Sequence, residues 1–163
     1  MTPDEYQLEA RKTAIYPDNV RVIYPTLGLA GEAGELAAAL GDRTDGDLLG
    51  ELGDVCWYGA NLATDLGVKL SELPSAPALP ASRIVELVGQ VAEQVKKSVR
   101  DHAGEVPDKR RRLILDALAG LYASLEHLAQ SEGLDLEQVF ASNVAKLRSR
   151  QQRGMLHGDG DHR

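Results

Sequence analysis

Apolar residues recur at helical spacing along almost the whole of this 163-residue chain, and mainly proline and glycine clusters interrupt them. Three prolines within the seven residues Pro74-Ser75-Ala76-Pro77-Ala78-Leu79-Pro80 exclude helix there, because proline lacks the backbone donor and clashes with the preceding turn. The pattern is therefore cut into two helical hairpins joined by a linker, and the expected fold is an all-α bundle. Thr2-Pro3-Asp4-Glu5 has the form of a capping box with proline in the first turn, opening a helix to about Thr13. Pro17 and Pro25 bracket an irregular link. Helices are expected from Leu27 to Leu40 and from Asp47 to Leu66, joined by Gly41-Asp42-Arg43-Thr44-Asp45-Gly46. Beyond the linker, Ile84, Val88, Val91, Val95 and Val99 share one face of a helix from about Ser82 to His102. Another runs from Asp108 to about Gln130, and a last one opens at Asp135-Leu136-Glu137-Gln138 and reaches Arg150.

The carboxylates of the first hairpin carry the chemistry. Glu32 and Glu35 lie three apart in one helix, and Glu51 and Asp54 lie three apart in the next. Residues three apart project from one helix face about a turn apart. Leu29, Leu36 and Leu40 form an apolar stripe with the first pair on its flank; Leu48, Leu52, Val55, Leu62 and Leu66 form the equivalent stripe of the second, with Tyr58 angularly between its acids. Antiparallel packing of the two stripes puts all four acids on one rim. Each close pair of anions costs about 4 kcal/mol at an effective dielectric of 20, whereas an exposed helix charge pair returns only about 0.3–0.5 kcal/mol. Either pair alone reads as an ordinary solvated face. The two together, embedded in small and apolar residues, read as an oxygen-rich pocket for a hard divalent cation. Asn61 and Asp65, further along the same flank, are supplementary ligands or exposed polar residues.

These residues resemble a family. Gly31-Glu32-Ala33-Gly34-Glu35-Leu36, Glu51-Leu52-Gly53-Asp54-Val55-Cys56-Trp57-Tyr58 and Asn143-Val144-Ala145-Lys146-Leu147-Arg148-Ser149-Arg150 are similar to segments of the MazG-like members of the all-α nucleoside triphosphate pyrophosphohydrolases. The tail from Arg153 to Arg163 and the run-in segments Tyr6-Gln7 and Tyr24-Pro25-Thr26-Leu27-Gly28-Leu29 match the same subgroup, so that the resemblance covers residues 1–73 and 134–163. It implies a magnesium-dependent hydrolase, manganese substituting, that cuts a nucleoside triphosphate between its α and β phosphates. Glu32, Glu35, Glu51 and Asp54 then correspond to the metal-binding and catalytic acids. Lys146, Arg150 and Arg153 coincide with the family-like segment and become candidate phosphate contacts, arginine being able to grip phosphate oxygens bidentately; without the resemblance they read as a solvated face.

The two hairpins also look related. Leu29 to Glu35 can be laid over Leu87 to Glu93, which sets Glu32 against Gln90 and Glu35 against Glu93, while Glu51 and Asp54 fall against Ala117 and Gly120. One domain, 1–163, is expected: 1–73 with the catalytic hairpin, 74–133 a second hairpin that has lost three of four acids, and 134–163 the last helix and tail. An unrelated helical insertion is the alternative to such an intrachain pseudo-dimer, and a homodimer is the alternative assembly.

Charge and cysteine usage narrow the classes. With 18 basic and 25 acidic residues the formal charge is −7, which disfavours a general nucleic-acid binder; Lys109-Arg110-Arg111-Arg112 is too short a basic run to change that and is expected to be exposed. Cys56 is the only cysteine, which excludes an internal disulfide, suits a reducing cytoplasm and reads as core. Without an export signal or an 18-residue apolar run, nothing points to a membrane. The functional expectation is nucleoside triphosphate pyrophosphohydrolysis in nucleotide-pool housecleaning. A dUTP- or dCTP-selective enzyme of the same superfamily and a non-catalytic nucleotide-sensing or interaction module are the alternatives.

Overall fold

The structure, a computed structural model, describes residues 1–41 and 47–156; most of the link between the first two acid-bearing helices and the tail from His157 lie outside the described residues. The described residues are all-helical, as expected: α1 (Pro3–Arg11), α2 (Ile23–Gly41), α3 (Leu48–Asp65), α4 (Ile84–His102), α5 (Asp108–Ser131) and α6 (Leu136–Gln152), with single 3-10 turns at Asp18–Val20, Leu70–Glu72 and Ala81–Arg83. Local chemistry starts several of them. Thr2 and Glu5 close the capping box of α1, Asp135 and Gln138 close that of α6, and the Asp47 carboxylate caps α3 through the Gly50 amide. The prolines after Leu73 keep 74–80 out of any helix, and the Leu79 amide ties that stretch to α5 by donating to Ser124 Oγ at 2.9 Å.

Pro25 departs from expectation. It sits in the first turn of α2, where a backbone donor has no intrahelical partner and its loss is harmless. The helix therefore starts four residues earlier than the Leu27 start expected.

The two hairpins pack together: α2 lies against α3 on one side and against α4 on the other, α4 against α5, while α3 also touches α1, α5 and α6. That centrality alters α3. Instead of one stripe, it buries Leu52, Gly53, Val55, Cys56, Trp57, Gly59, Ala60, Asn61, Leu62 and Ala63, almost its whole circumference. Small residues make the approach possible, since a Cβ on Gly53 would lie 2.9 Å from Asn143 Cβ, and one on Gly59 would lie 3.0 Å from the Tyr122 hydroxyl oxygen. Cys56 is buried as expected, and that burial, with Asp54 nearby, pushes its thiol well above the ordinary range.

On α4 the buried face is Ile84, Leu87, Val88, Val91, Val95 and Ser98. Val99, expected on it, is 45% exposed. Each step of four residues overshoots a full turn by about 40°, so Val99 has drifted off the face and Leu87 takes the opposite edge. The basic run on α5 is also less exposed than expected: Arg110 is half-buried and pairs with Asp101 at 3.0 Å, and Arg111 Nε donates to the Leu66 carbonyl at 3.0 Å, linking the hairpins.

Candidate metal centre

Glu32 and Glu35 project from α2, and Glu51 from the first turn of α3. One carboxylate oxygen from each lies within 4.8 Å of the others. Glu35 is exposed, whereas Glu32 and Glu51 are half-buried, and Glu51 Oε2 is shut off from solvent. Three anionic oxygens gathered on rigid helices are the donor chemistry that a hard divalent cation takes.

Asp54 is not in this group. Three of the four expected acids form the tight group, and the fourth is met by a third helix: on α6, Asn143 Nδ2 donates to Asp54 Oδ1 at 3.0 Å and Lys146 Nζ lies 2.6 Å from Asp54 Oδ2. Asn143 is itself set in place, since the Tyr6 hydroxyl donates to its Oδ1 at 3.0 Å, and the Tyr6 ring stacks on Phe140 at 4.0 Å. Neither Asn143 nor Tyr6 stood out as a site residue in the sequence. The signal available was Gly53, whose missing side chain lets Asn143 come close.

Of the expected phosphate contacts, Lys146 is therefore paired with Asp54. Arg150 is buried one turn further along α6. Arg153 remains at the exposed helix end, where its Nε donates to the Ser149 carbonyl at 3.3 Å and its guanidinium meets Met155 Sδ. Asn61 and Asp65 are not supplementary ligands. Asn61 is fully buried and donates to the Trp57 carbonyl at 3.0 Å. The Asp65 side chain, 1% exposed, pairs with Arg11 at 3.0 Å and accepts from the Tyr16 hydroxyl at 2.9 Å and the Val22 amide at 3.0 Å. It lies about 21 Å along α3 from Glu51 at 1.5 Å per residue, and its work is to hold the entry to α2, where Val22 has the left-handed φ of 65° that a β-branched residue avoids.

A row of tyrosines joins the two ends. Tyr16 stacks on Tyr24 at 4.8 Å, Tyr24 meets Tyr58 at 6.2 Å, and Trp57 stands edge-on to Tyr58 at 4.8 Å. Burial, reinforced by Tyr24, Glu32 and Asp54, pushes the Tyr58 hydroxyl well above its ordinary range, so it stays protonated beside the acids. The ring lies over Gly28, where an added Cβ would come 2.0 Å from a ring carbon. Gly28→Ala is accordingly expected to cost about 1–3 kcal/mol of overpacking, read from denaturant melts; an unchanged midpoint would mean that the ring swings clear without loss.

No family model and no solved structure matches the chain. It is similar to the Gene 37 protein of Mycobacterium phage L5, at 42% identity over an 88-position alignment that takes in 44% of this chain and 77% of the phage protein. With the greater part of that protein's length matched at this identity, the chain belongs to the family of the phage L5 Gene 37 protein.

Proposed function

We propose that the chain hydrolyses a nucleoside triphosphate to the monophosphate and pyrophosphate in a divalent-cation-dependent reaction, as its resemblance to the MazG-like pyrophosphohydrolases implies. The observation that carries this reading is the convergence of Glu32, Glu35 and Glu51 from two helices onto one point. These glutamates would hold magnesium, with manganese as a substitute. When bound, such an ion neutralises phosphate charge and lowers the pKa of a coordinated water toward neutrality. Lys146, paired with Asp54, and Arg150, one turn further along α6, would meet phosphate oxygens. Asn143 donates to Asp54, the fourth acid that the resemblance implies as a ligand.

The test is product analysis over normal, deoxy and damaged nucleoside triphosphates with magnesium. Monophosphate and pyrophosphate are expected as first products; diphosphate with orthophosphate would overturn the reading, and no turnover on any substrate would leave a nucleotide-sensing or interaction module. Housecleaning of the nucleotide pool, a cytoplasmic task, calls for broad turnover across that panel.

A second reading, selectivity for dUTP or dCTP, draws on the packing of α4 against α2, which gives the catalytic hairpin a built-in partner hairpin in the manner of an intrachain pseudo-dimer. The positions that align with the acids do no acid work in α4 and α5: Gln90 is exposed, Ala117 and Gly120 are buried, and Glu93 pairs with Lys96 and with Lys97, the latter at 3.0 Å. Glu93→Gln is therefore expected to leave turnover and magnesium dependence within about twofold of the parent, because an exposed ion pair contributes little. A strong loss of activity would show that the second hairpin takes part in the chemistry.

A further inference from the structure

We propose that Lys146 is a built-in counter-ion for Asp54 that couples cation binding at Glu32, Glu35 and Glu51 to oligophosphate binding. The inference rests on reading those acids as a divalent-cation site. Lys146 Nζ and Asp54 Oδ2 are 2.6 Å apart, with side chains only 26% and 16% exposed, so water screens this pair less than a surface pair. Glu51 precedes Asp54 by one turn of α3. An incoming divalent ion thus meets three glutamates, while a fourth carboxylate one turn along α3 is already paired with Lys146. The ammonium holds the Asp54 oxygen that a metal ion would otherwise be free to take, and phosphate competes with Asp54 for the same ammonium. A phosphate-bearing ligand that draws Lys146 away adds a fourth carboxylate to the cluster. By reciprocity each ligand then tightens the other by the same factor.

Two residues of α6 divide the work. Lys146 is half-buried on a flexible four-carbon stem and can exchange partners. Asn143 is buried, packed over Gly53 and held by Tyr6, so it keeps Asp54 aimed while the ammonium leaves. Asn143 is a positioning residue; Lys146 is the exchangeable one.

The test uses the full chain and manganese, with unbound hexaaqua Mn²⁺ read by electron paramagnetic resonance, with and without inorganic phosphate and with a protein-free control for phosphate–metal complexes. In the parent protein phosphate is expected to tighten Mn²⁺ binding about fivefold or more, the lower end of ordinary coupling. In Lys146→Met, Mn²⁺ alone should bind tighter by a similar factor, and phosphate should add nothing. In Asp54→Asn, the Lys146→Met change should have no effect on Mn²⁺ affinity, a result that loose packing could not imitate; circular dichroism checks the fold of each variant. Unchanged Mn²⁺ affinity in Lys146→Met, full phosphate coupling in that variant, or a persistent effect in the Asp54→Asn background would each overturn the interlock. Glu51→Gln separates the two layers of the reading. If it abolishes Mn²⁺ binding while Lys146→Met does not tighten it, the cation site stands and the interlock falls. If the parent binds no Mn²⁺, or Glu51→Gln binds it as well as the parent, the cation site falls and the interlock with it.

Discussion

Glu35→Gln is expected to lower triphosphate turnover at least about 100-fold while leaving the fold intact. The exchange keeps the shape of the side chain and removes one negative charge from a cluster whose donor atoms lie within 4.8 Å of one another. Misplacing or losing one such group ordinarily costs about 10- to 100-fold through a supporting residue and about 100- to 10,000-fold through a direct proton-transfer role. Glu35 is exposed, so relief of like-charge repulsion should leave thermal stability the same or slightly higher. Steady-state kinetics at saturating magnesium, with a melting curve on the same sample, check both halves. Full activity in this variant, or activity of the parent in excess chelator, would remove the three glutamates from the mechanism.

The largest structural effect is expected from Val91→Asp. Val91 is fully buried in the core to which α2 and α4 both contribute, so the new carboxylate would have neither water nor a partner. An uncompensated buried charge costs about 3–5 kcal/mol, against a total stability of about 5–15 kcal/mol for a domain, and the lost valine contacts add about 2 kcal/mol more. The variant should unfold or aggregate at ordinary temperature. Val91→Ala, which removes only the packing, should fold with a lowered midpoint. A cooperative melt near the parent's midpoint for Val91→Asp would mean that the second hairpin does not form a common core with the first.

Features that depend on neighbours in the chain were readable in advance. The Thr2–Glu5 capping box, the Asp135 start of α6 and the helix-free 74–80 stretch each involve residues within a few positions of one another, where capping and proline chemistry act independently of the rest of the molecule. The pairs Glu32–Glu35 and Glu51–Asp54 were equally local, being three-residue spacings on single helices. Pro25 follows no such local rule, because its effect depends on where the helix begins. Val22 sets that beginning, and its amide is held by Asp65, 43 residues away.

By itself the sequence determined that this chain is helical, where most of its helices lie, and that two acid pairs occupy consecutive helices, because periodicity and spacing are properties of a single helix surface. Only the tertiary structure decided that three of the acids cluster while the fourth is claimed by α6. Lys146 meets Asp54 across 92 positions of chain, and Asp65, equal to Asp54 by periodicity, is consumed by Arg11, Tyr16 and Val22. Which carboxylates stay grouped and which are paired elsewhere is settled by the charges and donors that other helices bring to them, and such long-range partners have no spacing that a one-dimensional pattern can carry.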